Sequence, residues 1–347
     1  MDTIIKNADE GMDVIRIGGQ ILRNGGLVAF PTETVYGLGG NALDPNASKK
    51  IYAAKGRPSD NPLIVHVADR ETIYQLTASV TEIATKLMDA FWPGPLTLIL
   101  KKSKIVPYET TGGLDTVAIR FPNHPTALSL IKEACVPVAA PSANTSGRPS
   151  PTLAKHVIED LSDKIDMIID DGPVGIGVES TIIDVTEEVP VILRPGYITK
   201  EMVEKVIGNV KIDHAVNNQV KEGEHPKAPG MKYRHYAPKA SLTLVEGELD
   251  TVIGTINSLA AIEMNNGKKV GIICTEETKN SYKAGAVKSI GFRTSQESIA
   301  HNLYALLRDF DQEGVDEIFS ESFQEQQLGM AIMNRLTKAA GHKILYV

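Results

Sequence analysis

Short runs of apolar and β-branched residues recur between Leu27 and Gly196: Leu27–Phe30, Leu63–Val67, Leu96–Leu100, Thr116–Phe121, Val136–Ala140, Met167–Ile169, Ser180–Val185 and Val191–Leu193. Their lengths and composition predict strands. Between them, apolar residues at three- and four-residue spacing predict helices over Ala47–Ala54, Thr81–Phe91, Thr126–Glu133 and Leu153–Leu161, so this part of the chain reads as α/β. Pro31, Pro122, Pro141 and Pro195 follow or close four of the runs. Proline has no amide to donate to the next rung of a ladder, so the chain leaves the sheet sharply there, and such exits line crevices.

A polar, turn-rich stretch over 208–240 interrupts the pattern, which then resumes on a smaller scale. Leu242–Val245, Lys269–Cys274, Ala286–Gly291, Glu317–Ser320 and Lys343–Val347 read as strands, separated by helical patterns over Thr251–Met264, Glu297–Gln312 and Met330–Ala340. This half is expected to be a Rossmann-like parallel α/β domain. No glycine fingerprint follows its first strand, which argues against a dinucleotide site. The expected organisation is a first domain over 1–207, a linker over 208–240 and a C-terminal domain over 241–347, without internal repeats.

Composition narrows this picture in three ways. A chain of 347 residues is long enough for about two cores, and 42% hydrophobic with 23% charged residues is ordinary for a globular protein. Thirty-six basic against 43 acidic residues give a net charge of −7, so the protein is no polycation and any anion site must be local. Cys135 and Cys274 are too few and too far apart for a disulfide framework or a cysteine-rich zinc site, and both are expected to be small buried residues. The N-terminal residues carry no secretory pattern and no run is long enough to span a membrane; a cytoplasmic protein is expected.

Within that frame the chemistry concentrates in a few places. Lys55-Gly56-Arg57-Pro58 and Pro141-Ser142-Ala143-Asn144-Thr145-Ser146-Gly147-Arg148 place cations and short donors on tightly turned backbone, which suits a polyphosphate. Each alone also reads as a basic helix end or a solvated turn. Arg120 lies in a strand that otherwise reads as buried, and Arg194 repeats that pattern; a guanidinium there needs an anionic partner. Phe30–Gly39 adds two hydroxyls, a carboxylate and two glycines at a strand end, suited to a small polar ligand. His66, inside an apolar run, reads on its own more readily as a satisfied core imidazole. Together these features favour a nucleotide or phosphoryl site. The motifs of P-loop ATPases, Ser-elbow hydrolases and zincins are absent.

Seven motifs occur in order: Pro31-Thr-Glu-Thr-Val-Tyr-Gly-Leu-Gly39, Lys55-Gly-Arg-Pro with Asn61-Pro-Leu-Ile-Val-His66, Trp92-Pro-Gly-Pro-Leu-Thr97, Val117-Ala-Ile-Arg-Phe-Pro122, Ala140-Pro-Ser-Ala-Asn-Thr-Ser-Gly147, Glu179-Ser-Thr-Ile-Ile-Asp184 and Leu193-Arg-Pro-Gly196. Over roughly residues 10–207 the chain closely resembles the YrdC-like family of L-threonylcarbamoyladenylate synthases. With Pro229–Pro238 and the second α/β unit it resembles the long, two-domain form. The resemblance implies a YrdC-like twisted mixed sheet with helices as the catalytic domain, and a nucleotidyltransferase that joins L-threonine, bicarbonate or CO2 and ATP into threonylcarbamoyl-AMP and pyrophosphate. That product serves threonylcarbamoyladenosine modification of tRNA, so downstream tRNA-modifying transferase proteins are the implied partners.

By the same resemblance Thr34, His66, Arg120, Ala140 and Ser180 hold threonine, with Arg120 on its carboxylate. Lys55, Arg57, Asn61, Thr116, Ser142, Asn144, Ser150, Arg194 and Tyr236 face the nucleotide, with Lys55 and Arg57 closest to the chemistry. Mg2+ is expected with ATP, without an organic cofactor, and Glu33 and Glu179 are the carboxylates available to it; the metal ligands stay unassigned. Pro226–Pro238, carrying Lys232, Tyr233, Arg234, His235 and Tyr236, is expected to fold over the first domain's pocket as a lid. Two other classes compete. An RNA-binding or maturation module would use the same basic cleft, but the chain has only 5% aromatics and an acidic balance. A carbamoyl-transfer maturation enzyme would bring zinc-finger cysteines, which two cysteines cannot supply.

Overall fold

The computed structural model describes residues 2–216, 226–230 and 235–347. They form two compact units, one from the described residues of Met1–Ser146 and Ser150–Tyr233, the other from Gly147–Pro149 with the described residues of Arg234–Val347.

The first unit is built on a mixed sheet of β1 (Ile4–Asn7), β2 (Val28–Pro31), β3 (Tyr36–Asn41), β4 (Ile64–His66), β5 (Leu96–Lys101), β6 (Thr116–Arg120), β7 (Val138–Ala139), β8 (Met167–Asp170), β9 (Thr181–Asp184), β10 (Val191–Arg194) and β11 (Lys211–Ile212). Their spatial order is β1-β8-β2-β3-β7-β4-β6-β5-β9-β10-β11. Period-two alternation explains why a charged residue can end an apolar strand. On β6, Val117 and Ile119 join Val65, Leu98 and Leu100 in the main core, whereas Ala118 lies on the opposite face with Ile64, Ile99 and Ile182. Arg120 shares the parity of Ala118 and so belongs to that second face. Slipping the register by one residue would turn Val117 and Ile119 out of the core and Arg120 into it, so the hydrophobic pattern fixes where the guanidinium stands.

Every strand and helix named from the pattern is present, with ends shifted by a few residues. Besides β11 and the helices Glu71–Leu76, Tyr108–Thr111 and Lys200–Ile207, the pattern missed β1, the helix Met12–Arg23 and β3. Glycines hid the last two. A Cβ at Gly19 would lie 2.7 Å from the Glu133 side chain of the helix Pro125–Ala134, and one at Gly39 would lie 2.8 Å from Phe30. These elements pack too closely for side chains at those points, so they lack the usual apolar signature. The expected boundary at 207 also moves: β11 pairs in parallel with β10, and a two-residue strand is too short to show as a pattern. Cys274 is buried as expected. Cys135 is exposed, because it caps the helix Pro125–Ala134 in the left-handed region at φ 54°.

The second unit holds a wholly parallel sheet of β12 (Ser241–Glu246), β13 (Val270–Cys274), β14 (Ala286–Ser289), β15 (Glu317–Glu321) and β16 (Ile344–Tyr346), in the order β14-β13-β15-β12-β16. Val245, Val252, Ile256, Val270, Ile272 and Phe319 form part of its core. The Pro149 carbonyl belongs to this unit and accepts hydrogen bonds from Arg308 Nε and Nη2 at 3.1 and 2.7 Å. No helix among the described residues is long and apolar enough to cross a membrane.

Candidate active site

Three polar residues stand side by side on the second face of the first sheet, because strand pairing places His66 of β4 and Thr97 of β5 opposite Arg120 of β6. All three are buried. Arg120 Nη1 donates to Thr34 Oγ1 at 2.9 Å, and Nη2 lies 2.8 Å from Glu33 Oε1. The loop that carries Thr34 and Glu33, between β2 and β3, is itself fixed: Thr34 Oγ1 meets Thr32 Oγ1 at 2.9 Å, and the carbonyls of Glu33 and Thr34 accept from Ile176 N and Gly177 N at 2.9 and 3.1 Å. The His66 Nδ1 approaches the Ile64 carbonyl at 3.2 Å. Burial, reinforced by the Arg120 charge, pushes its pKa down to about 3, so the imidazole is neutral throughout the physiological range.

Ser180 adds a hydroxyl from the start of β9, 2.7 Å from Thr97 Oγ1. Arg194 backs it: Nε and Nη2 donate to the Ser180 carbonyl at 3.1 and 2.9 Å, and Nη2 reaches Ser180 Oγ at 3.1 Å. In this structure Arg194 therefore holds Ser180 in place, a role the sequence did not indicate. Ala140 is buried where the chain leaves β7, its amide donating to the Ile64 carbonyl at 2.8 Å. The five residues expected around threonine thus come from loop and strand ends on neighbouring strands. Thr97 joins them although it was not among the residues singled out. Its signal was the one that exposed Arg120: a polar residue in an otherwise apolar strand.

The phosphate-type motifs also meet. Lys55 ends the helix Pro45–Lys55, is almost wholly buried, and donates to the carbonyls of Ser142 and Asn144, while its own carbonyl accepts from Ser146 N at 2.8 Å. Lys55 is thus a strut for the 142–146 turn. Within that turn Ser142 Oγ donates to Asn144 Oδ1 at 2.5 Å, and Asn144 Nδ2 donates to the Thr145 carbonyl at 2.8 Å. Ser150 Oγ donates to Glu179 Oε1 at 2.5 Å. Arg57 Nε and Nη2 donate to the carbonyls of Asn61 and Pro62 at 3.3 and 3.0 Å. The Asn61 Oδ1 atom is buried without a hydrogen-bond partner, a capacity that an amino donor on a ligand could use.

Two expected residues stand apart from the Arg120 cluster. Thr116 shares its face but begins β6, four residues away, which is about 13 Å along a strand. It lines a separate cavity of about 620 Å³ with Lys101, Lys102, Ser103, Lys104 and Tyr108. Tyr236 is buried in the second unit, where its ring stacks on Tyr304 at 5.3 Å with Arg335 over it at 5.4 Å; His235 lies tilted beside it at 5.5 Å. Of the expected lid, Lys232, Tyr233 and Arg234 lie outside the described residues. Ala228, however, is fully buried in the patch formed by Ile64, Ile99, Ala118, Ile182 and Leu193, the apolar part of the site face. Among the described residues no group of three or more His, Cys, Asp or Glu could hold a metal ion. Glu33 and Glu179 are engaged by Arg120 and Ser150.

Two family models match the chain, one described as telomere recombination over residues 20–196 and one described as threonylcarbamoyl-AMP synthase, C-terminal domain, over residues 198–341. The threonylcarbamoyl-AMP synthase of Pyrococcus abyssi is 53% identical, covering 99% of this chain and 100% of its own length. That of Bacillus subtilis is 52% identical over 94% of this chain and 92% of its own. The crystal structure of P. abyssi Sua5 complexed with L-threonine superposes with a TM-score of 0.94 at 51% identity, covering the whole of both chains.

Proposed function

We infer the reaction from a plain premise: this chain belongs to the threonylcarbamoyl-AMP synthase family. It condenses L-threonine, bicarbonate or CO2 and ATP to threonylcarbamoyl-AMP and pyrophosphate. The observation that carries this reading to the residues is the buried Arg120 cluster, which offers a guanidinium, a neutral imidazole and hydroxyls at one end of a sheet face. An amino acid needs that mixture.

Arg120 takes the threonine carboxylate as a charge-assisted pair, with Thr34, His66, Ala140 and Ser180 around the rest of the substrate. Once its ammonium has lost a proton, the threonine amine adds to CO2 through its lone pair and releases a second proton to solvent, giving a carbamate without an enzymic nucleophile. A carbamate oxygen then bonds to the α-phosphorus of ATP while the bond to the β-phosphate oxygen breaks, and pyrophosphate leaves with that electron pair. Such a step asks the protein for positioning and charge neutralisation rather than covalent chemistry. Arg57, Asn61 and the 142–146 turn, braced by Lys55, serve the nucleotide, together with Ser150. Mg2+ would come with ATP, where phosphate oxygens and water can supply most of its ligands, and would neutralise charge on the triphosphate. Ala228 supports a lid reading, since it seals the apolar part of the site face where a hydrolysable mixed anhydride is made. The product passes to a transferase that modifies tRNA.

The test is pyrophosphate release from purified protein with ATP, Mg2+, bicarbonate and each amino acid. Release should require both L-threonine and bicarbonate. Turnover indifferent to threonine, or yielding ADP and phosphate, would contradict the assignment, and salt-sensitive RNA binding without turnover would favour an RNA module.

A further inference from the structure

Apart from its ion pair with Arg120, the Glu33 side chain makes no hydrogen bond to the fold. Its loop is held by backbone bonds to Ile176 and Gly177, and its carboxylate, 13% exposed, receives no hydrogen bond at either oxygen. The facing side of Arg120 is just as open. Nη1 is taken by Thr34, but Nε and Nη2, which together form one edge of the guanidinium, make no hydrogen bond although both are buried. A buried ion pair usually offsets its desolvation with further hydrogen bonds, and this one has none on its inner side. Glu179, by contrast, accepts a hydrogen bond from Ser150.

We propose that Glu33 recognises the α-ammonium group of the substrate, so that Arg120 and Glu33 together read the zwitterion. The proposal rests on the threonine reading of this site and adds a specificity residue to it. The Nε–Nη2 edge matches a carboxylate side-on, with two parallel hydrogen bonds. An α-ammonium lies next to that carboxylate, and Glu33 Oε1, at 2.8 Å from Nη2, is the acceptor beside it. Before substrate arrives, Glu33 is the counter-ion of Arg120. When the zwitterion enters, its carboxylate replaces Glu33 on the guanidinium edge and its ammonium pairs with Glu33, so no buried charge is left alone. The exchange selects against ligands lacking either charge, because such a ligand leaves one protein charge poorly matched.

The test is calorimetric titration of the full chain with L-threonine and with (R)-3-hydroxybutanoate, which keeps the carboxylate, hydroxyl and methyl but lacks the amine. Wild-type protein should bind threonine at least tenfold more tightly than the deaminated acid. Glu33→Gln should weaken threonine at least tenfold and leave the deaminated acid unchanged or tighter, since a competitor for Arg120 has lost its charge. Parallel weakening of both ligands would mean that Glu33 only orients Arg120, and no weakening of threonine would mean that it plays no part; either overturns the proposal. Should Glu33→Gln fail to fold, equal wild-type affinity for the two ligands overturns it as well. Wild-type protein that binds no threonine would instead remove the substrate reading beneath it.

Discussion

Both sheets bury carboxylates beside arginines, yet they treat them differently. In the second unit Glu321 is fully buried at the end of β15, where it accepts from Tyr282 Oη at 2.7 Å and from Thr278 Oγ1 and pairs with Arg293. Its own oxygens are supplied by the chain itself, and one buried atom beside them, Arg293 Nε, makes no hydrogen bond. In the first unit Glu33 and Arg120 face each other with four buried polar atoms that make no hydrogen bond. Leaving a buried polar group unmatched costs on the order of 1–3 kcal/mol, so a filled cluster reads as architecture and an open one as a place kept for a ligand. Burial and charge alone would not separate the two.

The largest expected effect comes from closing the open cluster. Arg120→Lys keeps the charge but loses the fork, and threonine affinity by calorimetry should fall about 100-fold, equivalent to about 2.7 kcal/mol. Glu321→Ala should do the opposite: lower stability in urea unfolding by about 3 kcal/mol, because it strands Arg293, Thr278 and Tyr282, and leave threonine affinity of the folded protein within about twofold. Lys55→Met should raise the KM for ATP about tenfold with threonine affinity preserved, since its two carbonyl contacts set the nucleotide-side turn.

A smaller effect is readable in acid. The His66 pKa lies near 3 when folded, below the ordinary value of 6.5, so between those values the unfolded chain holds a proton that the folded protein does not. Stability from this group is complete above pH 6.5 and is lost as pH falls towards 3, with a slope of up to about 1.4 kcal/mol per pH unit. His66→Gln should flatten the pH dependence of urea midpoints in that window. Thr116→Val should be the mildest change, with threonine affinity altered by less than about threefold, because Thr116 stands at the far end of β6.

Much of this arrangement was legible in the residues. Arg120 and Thr97 betray themselves as polar positions in apolar strands, and Lys55 and Ser142 as donors at turns. What stayed hidden depends on contacts between distant segments. Nothing near Arg194 says that it will hold Ser180, and nothing near Glu33 says that its oxygens will be left without donors. Gly39 sits in a strand that no side-chain pattern could reveal, because its function there is to have no side chain. Likewise β11 is a strand only because β10 lies beside it.

The most direct test of the contrast is amide hydrogen exchange of wild-type protein with and without saturating L-threonine. Slower exchange is expected over Phe30–Leu38, Ile64–Ala68 and Val117–Phe121, with no change over Val270–Thr275 or Ile318–Ser322. Protection confined to the second sheet, or none at saturation, would contradict the claim that the open cluster around Arg120 is where the ligand binds.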